Sequence, residues 1–398
     1  MHIAVLNQHH HNPDCPATCR HYSFLSELAK RHRVSLVASD AWRRMRISED
    51  FPWVPAGVEL QECKVPYANK MGITRRLKAF AGFAASAFRQ AMRLQKPDVI
   101  WAVSTPLTTP WVAARVARLR RVPWVFEVQD LWPSFPIAMG AVRGSWLKRR
   151  LYKMEKQLYH SASHIITLSP DMTEYVASLG ISRDKITTNY NGTDLQLAEA
   201  VQPQDIEAVR RKYHLQGKQV VLYAGTYGRA NDILTLLQVV EKLADNPAIH
   251  FVFAGSGYYE PQLQQLALRV PNLLLLPPQP RTDIFTLFKL AALSVVSFNN
   301  LPVLAANSPA KLYDSLACGT PVLVTNAGWT KAFVEQHGCG WYTPAEQPEA
   351  MAQAIRDVLA QPGALQAAGT RGAAVSKSLF DRQQLVLQVE EVLARVVR

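Results

Sequence analysis

Short apolar runs alternate with segments of helical period along the first half of the chain. Ile3–Leu6, Val34–Val37, Val99–Val103, Trp124–Val128, His164–Leu168 and Ile186–Asn189 read as strands. Between them Tyr22–Lys30, Leu77–Leu94, Trp111–Leu119, Trp146–Tyr159 and Asp171–Ser178 read as helices. Strands buried on both faces appear as continuous apolar runs, and helices between them impose crossovers and a parallel sheet.

The alternation lapses over the polar stretch 195–205, which contains Pro203, and then resumes. Val220–Tyr223, Ile249–Ala254, Leu273–Leu276, Leu293–Ser297 and Val322–Val324 are the next strands. Ile233–Leu243, Gln262–Leu268, Ser308–Ala317, Thr330–Gln336, Met351–Leu359 and Asp381–Val397 are helical. At 398 residues the chain exceeds what one hydrophobic core usually serves. The expected class is therefore α/β, with two Rossmann-like domains spanning residues 1–200 and 201–380 and a terminal helix over 381–398. There is no Walker A motif, no GxGxxG fingerprint, no repeat and no heptad run. The missing fingerprint argues against a nicotinamide-dependent dehydrogenase.

Apolar residues make up 48% of the composition, which excludes general disorder. The net charge of +13 is lopsided. Residues 1–200 hold 27 Lys and Arg against 16 Asp and Glu, whereas residues 201–398 hold 17 against 15. A positive field over one half points to an anionic partner there. Five scattered cysteines favour a reducing compartment, and Cys15 and Cys19 have no second cluster nearby to complete a zinc site. His9–His11 read as a polar loop after the first strand. The first residues lack a signal-peptide pattern, and no run reaches 18 apolar residues. The expectation is a cytoplasmic protein, peripheral on the inner face of the plasma membrane.

Candidate chemistry gathers where strands end. Val220–Tyr223 runs into Gly225-Thr226-Tyr227-Gly228-Arg229, and Phe251–Ala254 into Gly255-Ser256-Gly257. Ligands of open α/β sheets bind at this edge, where glycine admits a close backbone and helix N-termini offer N–H groups to phosphate. A diphosphate would also want a cation, and Arg229 is the local one. The structural alternative is that these glycines only turn the chain. A third loop leads Ser308, as N-cap, and Pro309, as first helical residue, into Lys311 and Asp314 on one helical face. Lys311 opposes the helix dipole unless an anion sits there, and Asp314 suits ribose hydroxyls; the alternative is a surface Lys–Asp pair. In the first half, Asp130 follows a strand and precedes Leu131-Trp132-Pro133. It is the first candidate for the reacting region, with turn capping as the alternative. Glu127, on the opposite parity, is the second carboxylate. No Asp-x-Asp cluster is present, so no metal is expected.

The first half also carries basic and aromatic side chains together. These are Trp42-Arg43-Arg44-Met45-Arg46, the Arg75–Lys96 segment, and Trp146 with Lys148, Arg149, Arg150, Lys153 and Lys156. Such helices suit an anionic membrane surface, and no nucleic-acid-reading motif accompanies them.

With these residues in view, the chain resembles the retaining glycosyltransferases of family 4, which have the GT-B fold of two domains facing across a cleft. The resemblance is to the branch that builds bacterial O-antigen, capsule or exopolysaccharide units, including N-acetylfucosamine-type transferases. It rests on Val128–Pro133, Asn191-Gly192-Thr193-Asp194, Tyr223–Thr226, and Ser308–Asp314 through Ala317–Val322, in that order. It implies a nucleotide sugar, UDP-linked by preference, on the second domain and an acceptor on the first, with no further cofactor. A polyprenyl-diphosphate-linked or saccharide acceptor fits the basic face, and the terminal helix would brace the first domain. By resemblance Asp130 lies near the donor sugar, Arg229 binds diphosphate, Gly255 and Gly257 lie beside the nucleotide, and Asp314 holds the ribose. Ala306 stands where the family has its first acidic residue, and Asn231-Asp232 where a second cation often follows, leaving Lys311 to supply that charge. A UDP-sugar 2-epimerase of the same fold and a non-catalytic nucleotide- or glycan-binding protein are the alternatives.

Overall fold

The computed structural model describes residues 1–68 and 71–398. It divides into two compact units. One comprises Met1–Tyr190, Ala306–Ser308 and Arg382–Arg398, and the other Asn191–Ala305 and Pro309–Asp381. The change of unit falls at Tyr190–Asn191, ahead of the polar stretch near residue 200.

The first unit holds a seven-stranded sheet. Its strands are β1 (His2–Asn7), β2 (Arg33–Ser39), β3 (Val58–Cys63), β4 (Val99–Val103), β5 (Trp124–Val128), β6 (His164–Thr167) and β7 (Ile186–Thr188). They are parallel and ordered β3-β2-β1-β4-β5-β6-β7. Strands β1 and β4, inside the sheet, are buried at every position, as expected where helices cover both faces. Ile3, Val5 and Trp101 meet Phe24, Leu25 and Leu28 on one face. The helix Arg382–Val397 adds Leu385, Val386, Val389, Val392 and Leu393 to that same core. Helices Ile73–Arg93 and Thr108–Arg120 pack on the other face.

A six-stranded sheet organises the second unit. It is formed by β8 (Gln219–Ala224), β9 (Ile249–Ala254), β10 (Leu273–Leu276), β11 (Leu293–Val296), β12 (Val322–Val324) and β13 (Gly340–Tyr342). The order is β10-β9-β8-β11-β12-β13, again parallel. Alternate residues divide between two cores. Val221, Tyr223, Phe251 and Phe253 face helices Ile233–Lys242 and Pro348–Leu359, while Val220, Leu222 and Val252 face helix Arg281–Leu290. Two parallel sheets, each flanked by helices, form two Rossmann-like lobes.

Several elements depart from the pattern-based reading. The stretch near residue 200 is helical, as Leu195–Ala200 and Pro203–Lys212, the latter opened by a reciprocal capping pair of Gln202 and Asp205. Ser308 does not cap the next helix. Pro309 occupies the N-cap position with ψ 123°, so the helix starts one residue later and spans Ala310–Ala317. The helix Pro362–Leu379 has no counterpart in the apolar pattern because it carries Gly363, Gly369 and Gly372, poor helix formers. Gly369 is there for contact, since a Cβ at that position would lie 2.1 Å from the Gly319 carbonyl oxygen, whereas one at Gly363 would meet nothing within 4 Å. Gly369→Ala should therefore lower the unfolding midpoint, and Gly363→Ala should raise stability by about 0.5–1 kcal/mol. Urea denaturation of the two variants checks the contrast, and equal effects would refute the packing role.

Candidate active site

In the second unit the two glycine loops are built into one another. Strand β8 ends at Ala224, and Gly225 donates its N–H to the Ala254 carbonyl at 2.9 Å. Tyr227 N–H donates to the Ser256 carbonyl at 2.9 Å, and Tyr259 N–H to the Tyr227 carbonyl at 3.0 Å. A Cβ on Gly255 would stand 1.9 Å from the Gly225 carbonyl oxygen, and one on Gly257 would be 2.7 Å from the Tyr227 backbone. These glycines thus let two strand-end loops touch. The Tyr223 hydroxyl donates to the Thr226 carbonyl at 2.8 Å, fixing the first loop from beneath. Gly228 and Arg229 continue that loop, whose far end is tied by Asn299 N–H to the Ala230 carbonyl and by Asp232 N–H to the Asn299 side chain.

Lys311 reaches this loop pair from the first turn of the helix Ala310–Ala317. Its Nζ lies 3.9 Å from the centre of the Tyr223 ring. A Cβ built on Gly225 would sit 3.3 Å from that nitrogen. The ammonium is buried and has no hydrogen-bond partner among the described residues. Burial lowers its pKa to about 7. A desolvated cation held by the faces of the Tyr223 and Phe298 rings is costly unless a counter-charge joins it. Arg229 is exposed, with its guanidinium 4.1 Å from the centre of the Tyr258 ring, next to Gly257.

Asp314 behaves differently from the sequence-based expectation. Its carboxylate is 3% exposed and takes both Arg281 nitrogens at 2.7 and 2.9 Å. It also accepts from the Thr193 hydroxyl at 2.7 Å. It pairs with neither Lys311 nor solvent. Such a two-pronged guanidinium contact fixes the helix that carries Lys311, so Asp314 acts here as a brace.

In the first unit, Asp130 is half-buried beyond the end of β5. Its carboxylate has no hydrogen-bond or ion-pair partner among the described residues, and desolvation pushes its pKa up to about 6. Glu127, the second carboxylate, is held inside the first unit by basic partners. It is fully buried, with Oε1 3.1 Å from Arg20 Nε and 3.1 Å from His21 Nε2. Burial alone would raise its pKa, but Arg20 and His21 outweigh that and hold it at about 2. Arg20 also donates to the Tyr190 carbonyl at 2.5 Å and to the Asn189 side chain at 2.6 Å.

The loop after β1 holds more than a polar turn. Gln8 is 1% exposed and neither of its amide atoms has a partner among the described residues. Burial lowers His9 and His10 to about 4, so both are neutral at pH 7. His11 packs edge-on to Trp42 at 4.4 Å, His9 lies 4.7 Å from Tyr67, Tyr67 stacks on Phe80 at 5.9 Å, and Phe80 meets Trp132 at 6.1 Å. An aromatic row thus runs from this loop to the Asp130 segment. Its members come from five separate stretches, which no local spacing could reveal. Ala306 contributes only its carbonyl, which accepts from the Ser169 hydroxyl at 2.6 Å.

No group of three His, Cys, Asp or Glu among the described residues is placed to hold a metal ion. No helix of the described residues is long and apolar enough to cross a membrane.

Comparison with known proteins adds to this geometry. Residues 20–192 match the model of the glycosyl transferase 4-like domain, and residues 205–375 that of glycosyl transferases group 1. The WcaI protein of Escherichia coli K12, named as a colanic acid biosynthesis glycosyl transferase, is 23% identical over 312 residues. That match covers 75% of this chain and 76% of WcaI. Among solved structures, HepE of Anabaena in complex with UDP superposes with a TM-score of 0.72 at 18% identity, covering 99% of this chain and 100% of HepE. Sucrose-phosphate synthase from Thermosynechococcus elongatus superposes with a TM-score of 0.77 at 17% identity, covering 99% and 98%. The chain is a two-domain protein of GT-B fold related to the glycosyltransferases of bacterial polysaccharide biosynthesis.

Proposed function

We propose that the protein is a metal-independent retaining glycosyltransferase. It moves a sugar, of the N-acetylated hexosamine type, from a UDP-linked donor to a lipid-linked or saccharide acceptor in surface polysaccharide assembly. The observation that carries this reading is the buried ammonium of Lys311 beneath Gly225, at the carboxyl end of β8. A diphosphate placed there meets a desolvated cation, the first turn of the helix Ala310–Ala317, and Arg229 farther along the Gly225 loop. Charge grows on the departing diphosphate in the transition state, so preorganised cations count most at that point. The UDP complex of HepE supports the choice of base.

Asp130 is assigned to orient the reacting groups, as a carboxylate without a partner at a strand end. The aromatic row, the neutral His9 and His10 and the unpaired Gln8 amide suit the faces and hydroxyls of an acceptor sugar. An acceptor carried on a polyprenyl diphosphate would bring the basic helices of the first unit to an anionic membrane surface.

Incubation with a panel of UDP- and GDP-sugars, with and without membrane lipid extract, followed by mass spectrometry, tests the reading. The expected product is a glycosylated lipid or saccharide formed only with acceptor, and Arg229→Ala should lower kcat/KM for its formation about tenfold to a hundredfold. A free sugar epimerised without acceptor would identify a 2-epimerase instead. Binding of UDP-sugar with no turnover on any acceptor would identify a binding protein.

A further inference from the structure

We infer that Asp232 is a positioning residue of the donor site: its buried carboxylate ties three strand-end loops together and thereby holds Arg229 where a diphosphate binds. The inference rests on the assignment of Arg229 to the diphosphate in the reading above. Arg229 is exposed, with its guanidinium over the Tyr258 ring. An exposed ring face holds a guanidinium weakly, so the place of this cation is set mainly by the backbone that carries it. That backbone is anchored at its start by the Gly225 N–H on the Ala254 carbonyl and at its end by Asp232.

Asp232 stands at φ 50° and ψ 39°, just ahead of the helix Ile233–Lys242. This left-handed conformation is unfavourable for a residue with a side chain, although aspartate tolerates it better than most. What the side chain reaches offsets the strain. It is 4% exposed, with Oδ1 accepting from the Thr235 hydroxyl at 2.7 Å and Oδ2 from the Glu346 N–H, beyond β13, at 2.9 Å. The Asp232 N–H donates to the Asn299 side chain, beyond β11, at 2.8 Å, and the Asn299 N–H returns a bond to the Ala230 carbonyl at 3.0 Å. The Glu346 carboxylate closes the circuit by accepting from the Asn300 N–H at 3.1 Å. The carboxyl ends of β8, β11 and β13 are thus joined around one side chain, three positions after Arg229. Both carboxylate oxygens face donors, and no cation pairs with them among the described residues. The position therefore calls for hydrogen bonding and not for charge. An asparagine can serve it, with its oxygen on the Glu346 N–H and its amide donating to the Thr235 hydroxyl, which can turn to accept.

Calorimetric titration of the full-length protein with UDP at pH 7 tests this. Arg229→Ala should weaken UDP binding about tenfold. Asp232→Gly leaves the left-handed backbone unstrained and removes only the side chain, so it too should weaken UDP about tenfold, as expected for two lost buried hydrogen bonds. Asp232→Asn is the conservative rescue and should stay within about threefold of the wild type. Thr235→Val removes one tie and should lose about threefold. In the Arg229→Ala background, where no guanidinium remains to be placed, Asp232→Gly should cost less than a further factor of about two. A general loss of structure would instead weaken binding by the same factor in both backgrounds, and that result would overturn the positioning role. Should Asp232→Gly fail to fold by circular dichroism, Thr235→Val in the two backgrounds carries the same comparison. Asp232→Gly binding UDP as the wild type does, with Arg229→Ala impaired, would overturn this inference and leave the diphosphate reading standing. UDP affinity unchanged by Arg229→Ala would overturn the reading itself. Asp232→Asn falling as far as Asp232→Gly would show that the charge matters and not the two hydrogen bonds, which also overturns the inference.

Discussion

Lys311→Met lowers kcat/KM for sugar transfer by about 10²–10³ and abolishes the pH dependence of UDP binding. The argument starts from the unliganded protein. Burial lowers Lys311 from its ordinary 10.5 to about 7, while in the unfolded chain it keeps its proton up to the ordinary value. Between those limits the unfolded state binds more protons, so stability of the wild type rises with pH across that window. Below pH 7 both states are protonated and the folded one carries the full cost of a buried, unpartnered ammonium. Methionine fills the same space without charge, so the variant should be about 1–3 kcal/mol more stable than wild type at pH 6 in the absence of ligand. Bound diphosphate reverses the balance by raising the pKa of the ammonium. UDP affinity should therefore fall about tenfold per pH unit above 7, with proton uptake on binding. Calorimetry between pH 7 and 9 in buffers of different ionisation enthalpy measures both, in a range where the UDP phosphates are fully ionised. A Kd for UDP unchanged by Lys311→Met would remove the diphosphate from this position.

The parts of this site that could be read from the chain are those held by local backbone rules. Strands β4, β10 and β12 show as unbroken apolar runs, β5 and β9 as runs broken once, by Glu127 and His250, and the residues just beyond β5, β8 and β9 follow from the strand ends. Edge strands hide. Val58–Cys63 is half-exposed and alternates with Glu59, Gln61 and Glu62, and Gly340–Tyr342 spans only three residues. Side-chain partners hide more thoroughly. Lys311 and Asp314 are three residues apart on one helix, yet one meets a tyrosine ring from β8 and the other an arginine 33 positions away. Arg20 and Glu127 are separated by 107 residues, and nothing in either neighbourhood marks the pair. Helical spacing says which residues share a face; only the packing of that face says what they touch.

That buried pair sets the second large effect. Arg20→Met should cost about 3–5 kcal/mol at pH 7, because it leaves the Glu127 carboxylate inside the sheet with His21 and a long contact from the Gln129 amide beside it and no full counter-charge. The same change should carry the Glu127 pKa upward, since Arg20 is the largest influence opposing desolvation. In the wild type the folded value of about 2 lies below the ordinary 4.5. The pair's contribution is therefore complete above pH 4.5 and disappears as pH falls through 2. In Arg20→Met the destabilisation should grow as pH rises above the ordinary 4.5, because ionising an unpaired buried carboxylate opposes folding. Arg20→Met/Glu127→Met removes the orphaned charge and should recover part of the loss. Recovery stays incomplete because the Tyr190 carbonyl and the Asn189 side chain still lose their donor. Urea denaturation of the three proteins between pH 3 and 8 reads all of this. A double variant no more stable than Arg20→Met would show that the arginine serves those two acceptors and not the carboxylate. Glu127→Gln gives the complementary reading. If it retains transfer activity while losing stability, the carboxylate beside Arg20 supports the sheet from which Asp130 projects and takes no part in the chemistry.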